Sequence, residues 1–207
     1  MKRYRKPLSI IIVTFITILV AGCIQFGRPS PKPPSDPKLA WQERQLALQR
    51  IKNWELKGRL AVNVAQDSWT GSVHWEQKED KFDIFWFFPF GQGTIELKGA
   101  PELVTMRLPR EEPVTATSAE ELLEIRLGWS LPVTGLRYWL LGLPTPELPI
   151  TEQVLDPWGR LQRLSQGGWV IRYLNYKLIH DNYLPGKVFL DNPKVRMRLV
   201  IDRWKSN

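Results

Sequence analysis

The chain has 207 residues, of which 43% are hydrophobic, and a formal net charge of +8 at pH 7. Four of its 29 basic residues and none of its 21 acidic residues lie at positions 1–22, so the rest of the chain has a charge of only +4. An excess of this size is ordinary for a soluble domain, and without a recognition motif it predicts no nucleic-acid partner. The single cysteine excludes an intrachain disulfide and a cysteine-based zinc site.

The first residues have the pattern of a bacterial lipoprotein signal. A basic segment precedes an apolar run at 8–20, which is shorter than the roughly 20 residues that a transmembrane helix needs. Ala21 and Gly22 place small residues directly before Cys23, the only cysteine. We therefore predict a signal peptide over 1–22 and covalent attachment of an S-diacylglycerol and an N-acyl group at Cys23, with no other cofactor.

A proline-rich spacer follows the cysteine. Residues 23–38 contain five prolines, which favour an extended polyproline II conformation that cannot pack into a core. The remaining segment, 39–207, has the length of a single domain. Its first part, 39–53, is rich in Gln, Arg, Leu and Ala and predicts a helix.

Most of this domain has the alternating pattern of antiparallel strands with one buried face. The pattern is clearest in four runs: Trp54–Val64, Trp69–Trp75, Phe82–Phe88 and Val195–Ile201. Six shorter runs extend the sheet: Thr94–Lys98, Leu103–Leu108, Thr151–Leu155, Arg160–Leu164, Trp169–Tyr173 and Val188–Leu190. We therefore predict a mainly β domain of about eleven strands.

Two consecutive helices are predicted within this series of strands. Ser118 opens a capping box before Glu121, and Leu122, Ile125 and Trp129 follow at helical spacing. After Pro132, the segment 135–142 predicts a second short helix that Gly142 ends. Strands on both sides of two helices indicate a sheet curled around a helical lid.

Ten tryptophans and eight phenylalanines are many for a sheet of this size. They either fill the concave side of a curved sheet as core, or leave part of it open as an apolar pocket suited to acyl chains.

The turn after the third predicted strand carries Phe90 between Pro89 and Gly91. Turn tips are usually polar. Phe90 therefore either folds back under the loop as a satellite of the core or contacts something apolar outside the protein.

No catalytic or metal-binding pattern is found in the sequence. His74 and His180 are the two histidines, they have no metal-ligand spacing, and strand alternation places His74 on the solvent face. Neither a G-x-S-x-G nucleophile motif nor a phosphate-binding P-loop is present. We expect a protein that is not an enzyme and holds no metal.

Three segments resemble the LolB family of outer-membrane lipoprotein receptors. PFG at 89–91 followed by TIEL at 94–97 is similar to the protruding loop of the family and its next strand. LRYWLLGLP at 136–144 resembles the helix signature L-R-x-W-[IL]-L-G-L-P, and 195–204 resembles the closing strand. The loop tip is leucine in the best-known member, whereas it is Phe90 here.

The resemblance implies an open, incomplete antiparallel β-barrel of about eleven strands, with a small helical lid that encloses an apolar cavity. It implies a monomeric receptor, lipid-anchored in the outer membrane and facing the periplasm, since Ile24 rather than an aspartate follows the cysteine. Such a receptor accepts acylated lipoproteins from a soluble periplasmic carrier similar to LolA. It inserts them into the outer membrane without nucleotide hydrolysis, while Pro89, Phe90 and Gly91 form a loop that enters the phospholipid.

Nine residues are predicted to line the cavity, chosen by strand alternation and by position on the lid: Leu60, Val62, Trp75, Trp86, Leu97, Met106, Trp139, Met197 and Leu199.

Two other functions remain compatible with the sequence. An envelope lipoprotein could bind cell-wall glycan by stacking sugars on exposed tryptophans, with Trp69, Trp129 and Trp158 as candidates. A lipoprotein that only bridges envelope proteins is the second alternative, and its loss would not change the location of other lipoproteins.

Overall fold

A computed structural model describes residues 32–65, 67–100 and 102–206. The predicted signal peptide, Cys23 and most of the proline-rich spacer lie outside these residues, so what was predicted for them stays a prediction.

The described chain opens with helix α1, Pro37–Leu48. The Asp36 carboxylate caps it by accepting hydrogen bonds from the backbone N–H groups of Lys38 at 2.8 Å and Leu39 at 3.3 Å. The helix buries Trp41 and Leu48. It ends before the predicted limit at residue 53 because Asn53 already pairs with Lys78 in the sheet.

Eleven strands form one antiparallel sheet in the order β6-β5-β4-β3-β2-β1-β13-β12-β9-β8-β7. A separate hairpin consists of β10, Lys177–Ile179, and β11, Asn182–Leu184. The strands of the main sheet are β1 Asn53–Val64, β2 Asp67–Lys78, β3 Lys81–Phe88, β4 Gly93–Ala100, β5 Leu103–Arg107, β6 Val114–Ala116, β7 Ile150–Leu155, β8 Leu161–Gln166, β9 Trp169–Leu174, β12 Lys187–Asp191 and β13 Val195–Ser206.

Strands β6 and β7 stand at the two ends of this order and do not pair with each other, so the barrel in the described part of the chain is open. The predicted fold class is therefore confirmed. All ten predicted runs are strands, whereas the three-residue strands β6, β10 and β11 were not predicted.

The two predicted helices lie against the apolar face of the sheet. Helix α2, Ala119–Leu127, starts where the Glu121 N–H donates to Ser118 Oγ at 3.1 Å and ends at Gly128, whose φ of 75° is left-handed. Leu122 is buried as predicted, but Ile125 is 68% exposed and Trp129 lies beyond the helix. Helix α3, Val133–Trp139, begins two residues earlier than predicted, directly after Pro132.

Residues 33–207 form one compact unit. The buried hydrophobic residues of the described chain all lie between Trp41 and Trp204. This segment therefore contains the complete described core, which is what a domain needs to fold alone.

A buried glutamine fixes the end of α3 to the sheet. Gln166 Oε1 on β8 accepts hydrogen bonds from Trp139 Nε1 at 2.8 Å and from the Thr145 N–H at 3.0 Å. Its Nε2 donates to the carbonyl oxygens of Thr145 at 2.8 Å and Leu148 at 2.7 Å. Because this side chain is only 1% exposed, water cannot replace these bonds if they are lost.

Gln166→Ala should lower the free energy of unfolding by about 2–4 kcal/mol, because it leaves several buried polar groups without partners. Urea denaturation of residues 33–207 measures this change. Gln162→Ala is the matched control, since Gln162 is an exposed glutamine of the same strand and should shift stability by less than about 0.5 kcal/mol. Equal losses in the two variants would contradict this role of Gln166.

Candidate functional site

An apolar cavity lies between the sheet and the two helices. Five neighbouring strands, β4, β3, β2, β1 and β13, supply one wall, because alternation turns every second residue of each strand toward the helices. Seven of the nine residues predicted from the sequence line it: Leu60, Val62, Trp75, Trp86, Leu97, Met197 and Leu199. The same alternation adds four more side chains to this wall: Leu56, Val73, Ile84 and Ile95.

Helix α2, the connection 128–132 and helix α3 form the opposite wall, which we call the lid. It contributes six side chains: Leu123, Leu127, Trp129, Leu131, Val133 and Leu136. All the lining residues on both walls are apolar. The volume between the walls is about 70 Å³, so in this conformation the lid lies close against the sheet.

Met106 and Trp139 were predicted to line the cavity but lie outside its walls. Both are fully buried. Met106 stands opposite Leu97 on β5, beyond the last strand of the cavity wall. Trp139 turns toward β8 and β9, where it hydrogen-bonds to Gln166 and packs against Trp169 at 6.5 Å between ring centroids.

The sequence analysis missed the lid side chains. Leu123 and Leu127 have the i, i+4 spacing of one helix face, which was a usable signal. Trp129 and Leu131 belong to an irregular connection, where no periodicity indicates which side chains are buried.

A protruding turn joins β3 to β4 beside this cavity. Pro89–Gly91 form a single 3₁₀ turn, and none of its residues is buried. Phe90 is 98% exposed, so the alternative that it folds back under the loop is wrong. Its φ of 55° and ψ of 31° are left-handed, a conformation that costs energy for a bulky residue. Gly91 also has a positive φ, of 72°.

The turn is connected to the cavity through two aromatic side chains of β3. Trp86 lines the cavity, and its ring centroid lies 4.8 Å from that of the half-buried Phe88. Phe88 directly precedes the turn. On the outer face of the same strand, Phe85 and Phe87 stack at 6.0 Å, and Phe87 is 43% exposed. The strand therefore carries aromatic surface from the cavity wall to the exposed tip.

Comparisons with known proteins agree with this geometry. Residues 52–204 match the family model described as outer membrane lipoprotein LolB. A curated relative from Nitrosococcus oceani, named outer-membrane lipoprotein LolB, is 60% identical over 96% of this chain and 96% of its own length. Relatives of the same name from Cellvibrio japonicus and Pseudomonas putida are 36% and 34% identical, over 84% and 93% of this chain and 85% and 94% of their own lengths.

This chain belongs to the LolB family. The family resemblance stated from the sequence is thereby confirmed, and so is the assignment to the outer membrane as a lipoprotein concerned with lipoprotein localisation.

Two solved structures are similar in fold to this LolB-family chain. A LolA superfamily protein from Nitrosomonas europaea has a TM-score of 0.50 at 7% identity, covering 86% of this chain and 94% of its own. A DUF1329 family protein from Desulfovibrio piger has a TM-score of 0.53 at 8% identity, covering 84% and 94%. At such identities these likenesses show the shared fold alone.

Both histidines of this LolB-family chain lie within the residues that the structure describes. In the described residues, no group of three or more His, Cys, Asp or Glu side chains is placed to hold a metal ion. His74 is half-buried on the outer face, with its Nε2 3.0 Å from Glu55 Oε1. Burial raises the pKa of Glu55, but the hydrogen bond from Lys57 and the nearby His74 outweigh it and lower that pKa. His180 is exposed. Among the helices of the described segments, none is long and apolar enough to cross a membrane.

The three tryptophans considered for glycan binding do not form a common platform. Trp129 is buried, and its ring packs against Trp69 at 5.6 Å. Trp158 is 44% exposed in the turn between β7 and β8, but the Arg160 guanidinium covers its ring at 5.0 Å. The geometry therefore offers little support for the stacking of sugars.

Phe90→Glu should leave the free energy of unfolding within about 0.5 kcal/mol of the wild type, because the exposed side chain contributes nothing to the core. Phe88→Glu, two residues earlier, should lower it by about 2–4 kcal/mol, because a charge would replace a packed ring. Urea denaturation of residues 33–207 compares the two variants. A large loss in Phe90→Glu would mean that this side chain packs after all.

Proposed function

We propose that this protein is a receptor that accepts acylated lipoproteins from a soluble periplasmic carrier similar to LolA and inserts them into the outer membrane. The observation that carries the proposal is a wholly apolar cavity linked by Trp86 and Phe88 to the exposed Phe90. The receptor acts as a monomer, is anchored by acyl groups on Cys23 and uses no nucleotide. Family membership supports the proposal.

The physical need for such a receptor follows from the cost of exposing acyl chains to water. Each methylene buried in lipid is worth about 0.8 kcal/mol, so a multiply acylated lipoprotein is held in a bilayer by on the order of tens of kcal/mol. It cannot cross the aqueous periplasm unaided at a useful rate. A protein with an apolar cavity can keep the chains covered between the carrier and the membrane.

The cavity has to widen before it can take an acyl chain. Its volume is about 70 Å³, whereas pockets that hold small molecules have about 300–1,000 Å³. Because β6 and β7 leave the barrel open, the lid can move away from the sheet without breaking a strand pair.

The contacts of the lid indicate which part moves. The end of α3 is fixed by the buried hydrogen bond between Trp139 and Gln166. Helix α2 is held to the 108–113 loop by an ion pair between Arg126 and Glu111, both partly exposed. Exposed ion pairs contribute only about 0–1 kcal/mol. We therefore expect α2 to move outward and α3 to stay in place.

Transfer runs downhill, because no energy source is needed when each site binds the acyl chains more tightly than the previous one. Burying the Phe90 ring in lipid contributes roughly 1.5–3 kcal/mol. That amount is too small to anchor the protein, a role that the acyl groups on Cys23 fill. It is enough to hold the turn at the membrane surface, where it connects the cavity with the bilayer.

The acyl chains of a lipoprotein should pass from the carrier to this domain. When residues 33–207 are mixed with a LolA-like carrier loaded with a labelled lipoprotein, most of the label should be bound to this domain at equilibrium. Separation of the two proteins and counting of the label measure the distribution. Label that stays on the carrier, while soluble glycan fragments bind this domain, would favour the glycan-binding alternative.

Insertion of the lipoprotein into the membrane should depend on Phe90. In the full lipidated chain, Phe90→Glu should accept lipoprotein normally but deliver several-fold less to outer-membrane vesicles, because a charged tip is repelled from the hydrocarbon. Flotation of the vesicles measures delivery. Gln92→Glu is the matched control, since it adds the same charge to an exposed position of the same turn and keeps the phenylalanine. Normal delivery by Phe90→Glu would rule out a membrane role for this residue.

A further inference from the structure

Two tryptophans of the cavity wall have an indole N–H group without a hydrogen-bond acceptor among the described residues. Trp86, on the sheet, and Trp129, on the lid, are only 6% and 5% exposed. Their Nε1 atoms are buried and unpaired. Because a buried N–H without an acceptor is unfavourable, such groups in a folded protein call for an explanation.

Three other buried tryptophans of the described chain have a paired indole N–H. Trp75 Nε1 donates to Gln77 Oε1 at 3.0 Å, Trp139 Nε1 to Gln166 Oε1 at 2.8 Å, and Trp204 Nε1 to the Pro185 carbonyl oxygen at 2.8 Å. Trp75 is the most informative of these, because it lines the same cavity and is equally buried. The fold therefore supplies an acceptor to one cavity tryptophan and withholds it from two others.

The surroundings of the two indoles contain little that could serve as an acceptor. Trp86 Nε1 lies over Gly71, where a Cβ atom would be only 2.9 Å away, so this position of β2 supplies no side-chain acceptor. The ring of Trp129 packs against Trp69. Since the remaining lining side chains are apolar, an acceptor inside the cavity has to arrive with the ligand.

The apolar, uncharged lining of the cavity limits which chemical group of a ligand can serve as this acceptor. Methylene groups offer no lone pair, and a carboxylate or phosphate would be buried without a counter-charge, because no lining side chain is charged. A neutral carbonyl oxygen satisfies an indole N–H and is tolerated in an apolar site. Each acyl chain of a lipoprotein carries such a carbonyl at its head, in an ester or an amide.

We propose that Trp86 and Trp129 donate hydrogen bonds to the carbonyl oxygens of the acyl groups of the bound lipoprotein. This inference rests on the proposed function, since it assumes that the cavity holds acyl chains. It assigns the two residues a recognition role in addition to packing. They distinguish an acylated ligand from a plain hydrocarbon of the same length.

The positions of the two tryptophans also orient the ligand. Trp86 is three residues from Pro89 and contacts Phe88, which directly precedes the exposed turn. Trp129 packs on Trp69, which pairs with Val62 near the end of β1. This end of β1 and β2 is also the end of the sheet at which β3 enters the Phe90 turn. The carbonyl groups are therefore held at the end of the cavity next to the Phe90 turn, with the chain tails pointing toward Leu56 and Trp75.

The test compares lipids that differ only in their carbonyl groups. Dissociation constants of residues 33–207 are measured for dipalmitoylglycerol and for its dihexadecyl diether, which lacks both ester carbonyls, by displacement of a fluorescent acyl probe. The wild type should bind the ester about tenfold more tightly, which corresponds to about 1.4 kcal/mol. N-methylpalmitamide against hexadecyl methyl ether repeats the comparison for an amide carbonyl and shows which of the two sources the site prefers.

The variants remove one N–H each without changing the shape of the ring. Trp86→3-benzothienylalanine and Trp129→3-benzothienylalanine replace the N–H with sulfur and should each lower the ester preference several-fold, with little change in diether binding. Trp204→3-benzothienylalanine is the matched control, because its N–H is already paired with the Pro185 carbonyl oxygen and its side chain does not line the cavity, and it should keep the full preference. Trp86→Phe and Trp129→Phe should repeat the loss with natural residues.

The outcomes separate the two levels of the proposal. Equal binding of ester and diether by the wild type, or a preference that survives both substitutions, would overturn the carbonyl assignment and leave the acyl cavity standing. If neither lipid binds and the loaded carrier also keeps its label, the proposed function fails together with this inference.

Discussion

Strands β6 and β7 do not pair to close the barrel, so the curved sheet alone leaves part of its apolar inner face uncovered. Removing this surface from water is the dominant favourable contribution to folding. Two short helices and the connection between them supply the missing cover. The lid and the cavity beneath it follow from the two sheet edges that do not meet, and so does the opening that the proposed function requires.

Coverage by helices differs physically from coverage by strands. A barrel closed by backbone hydrogen bonds would open only if all the hydrogen bonds between two neighbouring strands were broken. A helix keeps its own hydrogen bonds when it moves, so opening costs only side-chain contacts. In this chain the polar contacts are uneven, since buried hydrogen bonds around Gln166 hold α3, whereas α2, which also buries Leu122 and Leu123, has a partly exposed ion pair between Arg126 and Glu111. This asymmetry suits the proposed function, in which the cavity fills and empties.

Binding of a ligand explains the strained, exposed turn and the unpaired indole N–H groups better than a contribution to folding stability does. Phe90 combines a left-handed backbone with nearly complete exposure, and neither favours folding. Trp86 and Trp129 bury N–H groups without acceptors, which is also unfavourable. Under the proposals made above, each feature becomes favourable on binding, with a bilayer as the partner of the turn and acyl carbonyls as the partners of the two indoles. The two features lie at the same end of the cavity, where a chain would pass between protein and membrane.

Local patterns in the sequence determined much of this protein. Period-two alternation placed ten strands and, through them, seven of the cavity residues, because side chains of a strand point alternately to the two faces. Composition at the turn and the capping signal at Ser118 located the loop and the start of α2. The family was also recognisable from short motifs, such as the helix signature at 136–144.

Only the tertiary structure decided which elements face one another. Met106 and Trp139 have the right pattern yet lie outside the cavity, because the lid covers five strands and Trp139 turns toward β8. Trp129 and Leu131 lie in an irregular connection, so their burial depends on the position of the helices on the sheet. The acceptors of Trp139 and Trp204, Gln166 and the Pro185 carbonyl oxygen, are likewise far away in the chain, and alternation carries no information about such contacts.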